Sequence, residues 1–355
     1  GRLLKPSPED SATKGRLLGV KGRLMRASLM LSPGPLALPA RNAMSRGARK
    51  VAVIGAGNVG ATCAFVLAQK NIGEIVMLDI YEGFAKGKAL DMSQGGQVLN
   101  YDGKITGTKD YRDIAGADVV VVTSGFPRKP GMSREDLVGK NADIISEVGA
   151  GIREHAPDSV IVMVTNPLDL MTYHMQRVTG FSPERVVGQA GILDSARMTH
   201  FIAEELGVSN EDVQAMVLGG HGDTMVPLPR YTTVSGIPIT QLMDAETIDA
   251  ICKRTASGGG EIVKLLEKGS AFYAPGSAAA IMAESILNDR KRSLPCSTYL
   301  SGQYGLDDIY IGVPVVLGKN GVERIIELDL EEFELESLHE SAKFYKEQLS
   351  GILGY

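Results

Sequence analysis

The chain has 355 residues, of which 44% are hydrophobic, enough for two domains or one large domain with a sizeable core. It contains no tryptophan, and the part after residue 43 carries 29 basic against 40 acidic residues, which argues against nucleic acid as a partner. Three cysteines without metal-ligand or disulfide spacing (Cys63, Cys252 and Cys296) predict a reducing compartment and no metal site, and no apolar run approaches the ~20 residues of a membrane span.

The first 43 residues differ in composition from the rest of the chain. They hold eight basic residues against Glu9 and Asp10, and the tetrapeptide KGRL occurs twice, at 14–17 and 21–24. We expect residues 1–43 to be a disordered extension without a role in the chemistry, in a protein of the bacterial cytoplasm. Two other interpretations stay open: an organellar transit peptide, or an upstream extension with Met44 as the true start.

Residues 44–190 alternate between short apolar runs and helical patterns. Strands rich in β-branched residues that alternate with helices are typical of a parallel sheet built from βαβ units. The pattern therefore predicts a Rossmann-type, doubly wound α/β domain over 44–190. Strands are predicted at 50–55, 74–80, 117–125 and 159–167, and helices at 58–70, 82–98 and 137–154.

Residues 191–355 show a mixed pattern, which predicts an α/β substrate and catalytic domain. It should contain a helix over 195–206, a strand within 212–223 that runs into a glycine loop, and a hairpin over 313–328 with Asn320-Gly321 at its turn. A last helix should begin near Leu330. Its docking face is predicted to consist of Phe333, Leu338, Ala342, Tyr345 and Leu349.

The sequence GAGNVG at 55–60 fits the pattern G-x-G-x-x-G between a strand and a helix. Asp79 lies 19 residues after Gly60, at the end of the next predicted strand. Together these features form the dinucleotide fingerprint, with the phosphates at the helix N-terminus and the acid on the adenosine ribose. The negative charge of Asp79 favours NAD over NADP. The predicted cofactor-binding residues here are Gly55, Ala56, Gly57, Asn58, Val59, Gly60 and Asp79.

Three residues of the second half form a candidate acid–base group. Asp194 stands at the predicted N-cap of the helix over 195–206, and Arg197 follows one turn later. His221 lies in an exposed glycine loop, where Asp194 could orient its imidazole and raise its pKa. The other four histidines are interpreted as surface or packing residues: His155, His174, His200 and His339.

Two loops add polar side chains to these groups. The segment GFPRKPGMSREDL at 125–137 carries Arg128 and Arg134, and its prolines and glycines prevent a continuous helix. Two guanidinium groups in such a loop would suit a ligand with two negative ends. Asn166, in VTNP at 164–167, follows a predicted strand at its carboxyl end, where open α/β sheets bind ligands.

The motifs GAGNVG, GFPRKPGMSR, VTNP, ILDSAR and GGHGDTMVPL, in this order, resemble the lactate/malate dehydrogenase family over residues 50–350. They are most similar to its lactate-dehydrogenase-like malate dehydrogenases. The resemblance implies that His221 exchanges the proton and Asp194 orients it. It implies substrate contacts for Arg128, Arg134, Asn166 and Arg197, and contacts to the nicotinamide half of NAD for Asn141, Val164, Thr165 and Asn166.

The resemblance implies reversible hydride transfer between (S)-malate and NAD in a homodimer or homotetramer. Arg128 points to a second carboxylate, since lactate dehydrogenases typically have glutamine at the matching position. A lactate or broad-range 2-hydroxyacid dehydrogenase is the nearest alternative. An NAD-dependent glycosidase would need metal-binding residues that the sequence lacks, and a silent NAD-binding module would need a broken His–Asp–Arg set.

Overall fold

The computed structural model describes residues 49–126 and 134–355, with the side chains of Arg134 and Glu135 excepted. The chain divides into two units, Gly1–Arg46 and Gly47–Tyr355, and every described residue belongs to the second. The prediction for residues 1–43 thus lies outside the described residues. Among the helices that are described, none is long and apolar enough to cross a lipid bilayer.

Helices and strands alternate along the first half of the described chain and mix along the second. The helices are α1 (Asn58–Gln69), α2 (Glu82–Leu99), α3 (Arg134–His155), α4 (Leu168–Thr179), α5 (Ala190–Leu206), α6 (Ala245–Leu266), α7 (Tyr273–Leu287) and α8 (Glu332–Gln348). The strands of the first half are β1 (Lys50–Ile54), β2 (Glu74–Leu78), β3 (Ile105–Thr108), β4 (Val119–Val122), β5 (Val160–Met163) and β6 (Val186–Gly188). Those of the second half are β7 (Val213–Gln214), β8 (Val217–Gly219), β9 (Met225–Pro227), β10 (Thr233–Val234), β11 (Ile237–Pro238), β12 (Arg292–Ser301), β13 (Asp307–Gly318) and β14 (Gly321–Ile325).

The first six strands form a parallel sheet in the order β3-β2-β1-β4-β5-β6. The strands at its centre are buried because helices cover both faces of such a sheet, which suits their run of valine, isoleucine and alanine. This strand order is that of the doubly wound dinucleotide-binding fold, whose ligands bind at the carboxyl ends of the strands. The predicted fold class is confirmed.

The second half continues the same sheet with antiparallel strands. β12 pairs with β13 over most of its length, and Ser297 of β12 pairs with Gly188 of β6. A Cβ on Gly188 would lie 2.8 Å from that of Ser297, so the close approach of the two strands requires glycine. β13 also pairs with β8 and β14, while β7, β10 and β11 form a small separate sheet among the described residues. The domain boundary at 190/191 stays a prediction.

Two predictions about the helices were wrong in detail. α5 begins at Ala190 instead of residue 195, so Asp194 is its fifth residue and is not an N-cap. Along α8, Leu338, Ala342 and Tyr345 are buried, as is Leu349 just beyond it, but the side chain of Phe333 is 61% exposed. Phe333 lies in the first turn of the helix, ahead of the part that packs on the core.

Two strand predictions also needed correction. The segment 212–223 contains two short strands, β7 and β8, instead of one. In the hairpin of β13 and β14, Gly318 pairs with Gly321, so the two-residue turn consists of Lys319 and Asn320. Gly321 opens the second strand with a φ of 92°, a conformation that favours glycine.

Candidate active site

The glycine loop between β1 and α1 depends on close backbone contacts. Gly55 has a φ of 101°, and a Cβ on it would lie 2.7 Å from Oγ1 of Thr123. A Cβ on Gly60 would lie 1.9 Å from the carbonyl oxygen of Gly55, so α1 could not start this close to the loop with any side chain there. These two glycines therefore set the shape of the turn.

Gly57 and the start of α1 offer room for an anion. A Cβ on Gly57 would meet no atom within 4 Å, so the space in front of the loop is open among the described residues. Asn58 and Val59 form the beginning of the helix, which has no acidic residue in its first turn and no side-chain cap from the described part of the chain. Helix amides without caps attract phosphate groups, so these residues fit the pyrophosphate of a dinucleotide.

Asp79 lies directly after β2 and contacts the glycine loop. Its Oδ2 accepts a hydrogen bond from the amide of Ala56 at 2.8 Å, and its Oδ1 accepts one from the amide of Tyr81 at 3.0 Å. On the other side of the same residue, Lys88 donates to the carbonyl oxygen of Ala56 at 2.9 Å. The sequence motif did not reveal Lys88, since it lies on α2, outside the fingerprint.

Asn141 joins the ends of β4 and β5. Its Oδ1 accepts a hydrogen bond from the amide of Phe126 at 2.7 Å, and its Nδ2 donates to the carbonyl oxygen of Asn166 at 2.7 Å. Thr165 adds a second link, because its hydroxyl donates to the carbonyl oxygen of Ser124 at 2.7 Å. Val164 continues the sheet through a backbone bond from its amide to Val122. The side chain of Asn166 itself is exposed.

His221 and Asp194 form a direct pair, although they are 27 residues apart. Nδ1 of His221 lies 2.8 Å from Oδ2 of Asp194, and Oδ1 of the same carboxylate accepts a hydrogen bond from Arg197 at 3.2 Å. The side chain of His221 is only 15% exposed, so the prediction of an exposed loop histidine was wrong. Burial alone lowers the pKa of His221, but the charge of Asp194 and its hydrogen bond outweigh this effect and raise it.

A second buried carboxylate, Asp169, holds the backbone of His221. Its Oδ2 accepts a hydrogen bond from the amide of His221 at 2.8 Å, and its Oδ1 accepts one from the hydroxyl of Ser297 at 2.7 Å. Burial raises the pKa of this carboxyl. Tyr345 donates to the carbonyl oxygen of His221 at 3.2 Å, so both backbone groups of the histidine are fixed. Asp169 could not be found from the sequence, because none of the motifs includes it and its partners lie far along the chain.

Arg197 packs against Gly258 and Gly259, the first two of three consecutive glycines in the interior of α6. A Cβ on Gly258 would lie 3.3 Å from Cδ of Arg197, and one on Gly259 would lie 3.4 Å from its guanidinium, whereas one on Gly260 would meet nothing within 4 Å. Nε of Arg197 is buried and has no hydrogen-bond partner in the described part of the chain. This donor and the small residues beside it leave Arg197 able to bind a further anion.

A cavity of about 340 Å³ adjoins His221. It is lined by residues from the ends of β5 and β8, from α3 and α4, and from α8. Its lining includes Asn166, Pro167, Leu170, His221, Gly222, Thr224 and Tyr345. The structure thus brings Asn166 and His221 to one cavity, at the carboxyl ends of the strands, as expected for a ligand site in this fold.

The structure describes only some of the remaining predicted residues. Arg128 lies outside the described residues, and Arg134 is described only as the first residue of α3. Of the other histidines, His174 is buried and contacts Ser146 at 2.8 Å, which agrees with a packing role. His155 is half-buried, and His200 and His339 are exposed.

The chain matches known proteins over nearly all of its described length. Residues 49–188 match the lactate/malate dehydrogenase NAD binding domain, and residues 192–353 match the lactate/malate dehydrogenase alpha/beta C-terminal domain. The chain belongs to the lactate/malate dehydrogenase family. The predicted family, an NAD-dependent oxidoreductase, and its cofactor NAD are thereby confirmed.

Individual relatives agree with this membership. The chain is 55% identical over 303 residues to the malate dehydrogenase of Methanosarcina mazei. The matched region covers 85% of this chain and 99% of that protein. The structure of the Picrophilus torridus malate dehydrogenase in its apo form is similar with a TM-score of 0.84 and 50% identity, covering 86% of this chain and 97% of that one. The Cryptosporidium parvum lactate dehydrogenase complexed with lactic acid and nicotinamide adenine dinucleotide has a TM-score of 0.84 and 40% identity, covering 87% and 99%.

Proposed function

We propose that this protein is an NAD-dependent malate dehydrogenase that interconverts (S)-malate and oxaloacetate. The observation that carries the proposal is the contact of His221 with Asp194 beside Arg197, at a cavity of the NAD-binding fold. Relatives that are 55% identical over 85% of the chain are malate dehydrogenases, which favours malate over lactate. The lactate dehydrogenase structures from Cryptosporidium parvum and Eimeria maxima are 40% and 41% identical to this chain, which is less than the malate dehydrogenase relatives.

The proton of the reaction moves through Nε2 of His221. Its Nδ1 faces Asp194, so Nε2 is the ring nitrogen left to exchange a proton with the oxygen on C2 of the substrate. The raised pKa of His221 favours the protonated imidazole, which reduction of oxaloacetate requires, and the neutral form accepts the proton of malate. NAD, when bound, supplies the hydride acceptor for this step.

Three arginines divide the charges of the substrate among them. Arg197 would bind the carboxylate next to the reacting carbon, since its guanidinium is held between Asp194 and the glycines of α6. Arg134 would stabilise the developing charge on the reacting oxygen. Arg128 would pair with the distal carboxylate, which malate has and lactate lacks.

The proposed binding of NAD rests on the glycine loop and on the hydrogen bonds that join the ends of β4 and β5. The loop from Gly55 to Gly60 would hold the pyrophosphate, and Asp79 would bind the ribose hydroxyls and repel a 2′-phosphate. The side-chain amide of Asn141 is hydrogen-bonded to the backbone of Phe126 and of Asn166. We therefore assign to Asn141 the positioning of these two residues beside the nicotinamide half of NAD.

A variant of the histidine tests the proposal. With NADH and oxaloacetate, His221→Asn should lower kcat/KM by ~10²- to 10⁴-fold, the usual contribution of a positioned general acid. The affinity for NADH should stay the same. His200→Asn, which changes an exposed histidine on α5, is the matched control and should keep wild-type activity. Wild-type turnover in His221→Asn would exclude the assigned role.

Assembly and location belong to the same proposal. The exposed apolar side chains Leu90, Val98 and Leu99 on α2 suit burial in a homodimer or homotetramer, which sedimentation of the full chain would measure. The free thiols of the three cysteines suit the reducing cytoplasm of a bacterium.

A further inference from the structure

Lys88, in the second turn of α2, contacts the glycine loop from outside the fingerprint. Its Nζ donates a hydrogen bond to the carbonyl oxygen of Ala56 at 2.9 Å and lies 4.4 Å from the centre of the Phe84 ring. The amide of Ala56 donates in turn to Asp79 at 2.8 Å. One residue of the loop therefore connects a cation on one side with an anion on the other.

This arrangement is unusual for a lysine. Lysine side chains are mostly exposed, but Lys88 is half-buried. Burial lowers its pKa by more than the nearby charge of Asp79 raises it. An ammonium group has three N–H donors, and the bond to Ala56 takes one of them. The group thus has donors left for an anion that binds beside Ala56, within the electrostatic range of Asp79.

We propose that Lys88 is a cofactor-positioning residue, which holds the loop at Ala56 and whose positive charge, against the negative charge of Asp79, decides between NAD and NADP. The inference rests on the proposed function, since it takes this loop as the NAD site. With Asp79 present, the acid repels a 2′-phosphate. Without it, Lys88 is the cation that attracts one. The choice of cofactor thus depends on a balance of two charges instead of one acid.

The experiment measures binding of NADH and NADPH to the full chain by nicotinamide fluorescence, without substrate. Asp79→Ser should increase the affinity for NADPH relative to that for NADH by about tenfold or more, equivalent to ~1.4 kcal/mol. Lys88→Met added to Asp79→Ser should remove this gain. Lys86→Met is the matched control, because Lys86 is an exposed lysine of the same helix that pairs with Glu82 at 2.8 Å. It should leave the gain unchanged.

Two outcomes overturn the inference: an equal NADPH gain with and without Lys88, or no gain in Asp79→Ser. If Lys88→Met fails to fold, Lys88→Arg and Lys88→Gln replace it in the Asp79→Ser background. The arginine keeps the charge and should keep the gain, whereas the glutamine keeps a donor but should lose it. Equal NADPH affinities in these two variants would show that Lys88 only clamps the loop. Oxaloacetate reduction by the wild type is measured separately. A failure of the proposed function can therefore be distinguished from a failure of the inference about Lys88.

Discussion

Replacing Gly258 by alanine places one methyl group against the arginine that we assign to the substrate carboxylate. The new Cβ would lie 3.3 Å from Cδ of Arg197, so the arginine must shift by a few tenths of an ångström. A misplacement of about 1 Å near the reacting groups can cost ~10²-fold in rate. A shift of a third of that size should therefore raise KM for oxaloacetate by about three- to tenfold.

The same change should make the protein more stable. Glycine inside a helix is less favourable than alanine by roughly 0.5–1 kcal/mol, and Gly258 lies in the interior of α6. For a chain of this size, that gain raises Tm by about 1–3 °C. Gly258→Ala should thus combine higher stability with weaker substrate binding.

Gly260→Ala is the control for this experiment, because its Cβ would meet nothing within 4 Å. Gly260→Ala should show the full rise of Tm in thermal unfolding and Gly258→Ala a smaller one, since Arg197 must move, and only Gly258→Ala should raise KM in steady-state kinetics. Equal KM values in the two variants would refute the reasoning that the glycines make room for Arg197.

Three further predictions concern the acid–base pair, the loop and the N-terminus. Asp194→Asn should lower the pKa of His221, because the carboxylate raises it, so oxaloacetate reduction should be lost at a lower pH; an unchanged pH–rate profile would count against the pairing. Arg128→Gln should lower kcat/KM for oxaloacetate and raise it for pyruvate, whereas Arg134→Gln should lower turnover of both; a uniform loss in Arg128→Gln would remove its role in specificity. A chain beginning at Met44 should keep full activity, since the family match begins at residue 49, and lost activity would give the extension a role.

The parallel half of the fold could be predicted because its signals are local. β-branched runs, helical periods and the glycine turn lie within short stretches, so the predicted strands at 50–55 and 74–80 agree with β1 and β2. α6 is not evident from the sequence, because Gly258, Gly259 and Gly260 disfavour a helix that tertiary packing nevertheless supports. β12 carries Pro295 in its interior, a residue that argues against a strand.

The site could be predicted where a motif marks the residue and not where only the fold brings it near. The glycine loop marks His221 and the motif ILDSAR marks Asp194, but the sequence predicts the start of α5 five residues late and therefore a cap at Asp194. Asp169 acts through a bond to a backbone amide 52 residues away, and Lys88 through a carbonyl 32 residues away. Such contacts leave no periodic or spacing signal in the chain.

The ratio of kcat/KM for oxaloacetate to that for pyruvate, measured on the wild type with NADH, tests the central claim most directly. An arginine paired with a distal carboxylate in a closed site contributes ~2–5 kcal/mol. At tenfold per ~1.4 kcal/mol, the ratio should lie between roughly 30 and several thousand. An equal or higher kcat/KM for pyruvate would contradict the assignment to malate.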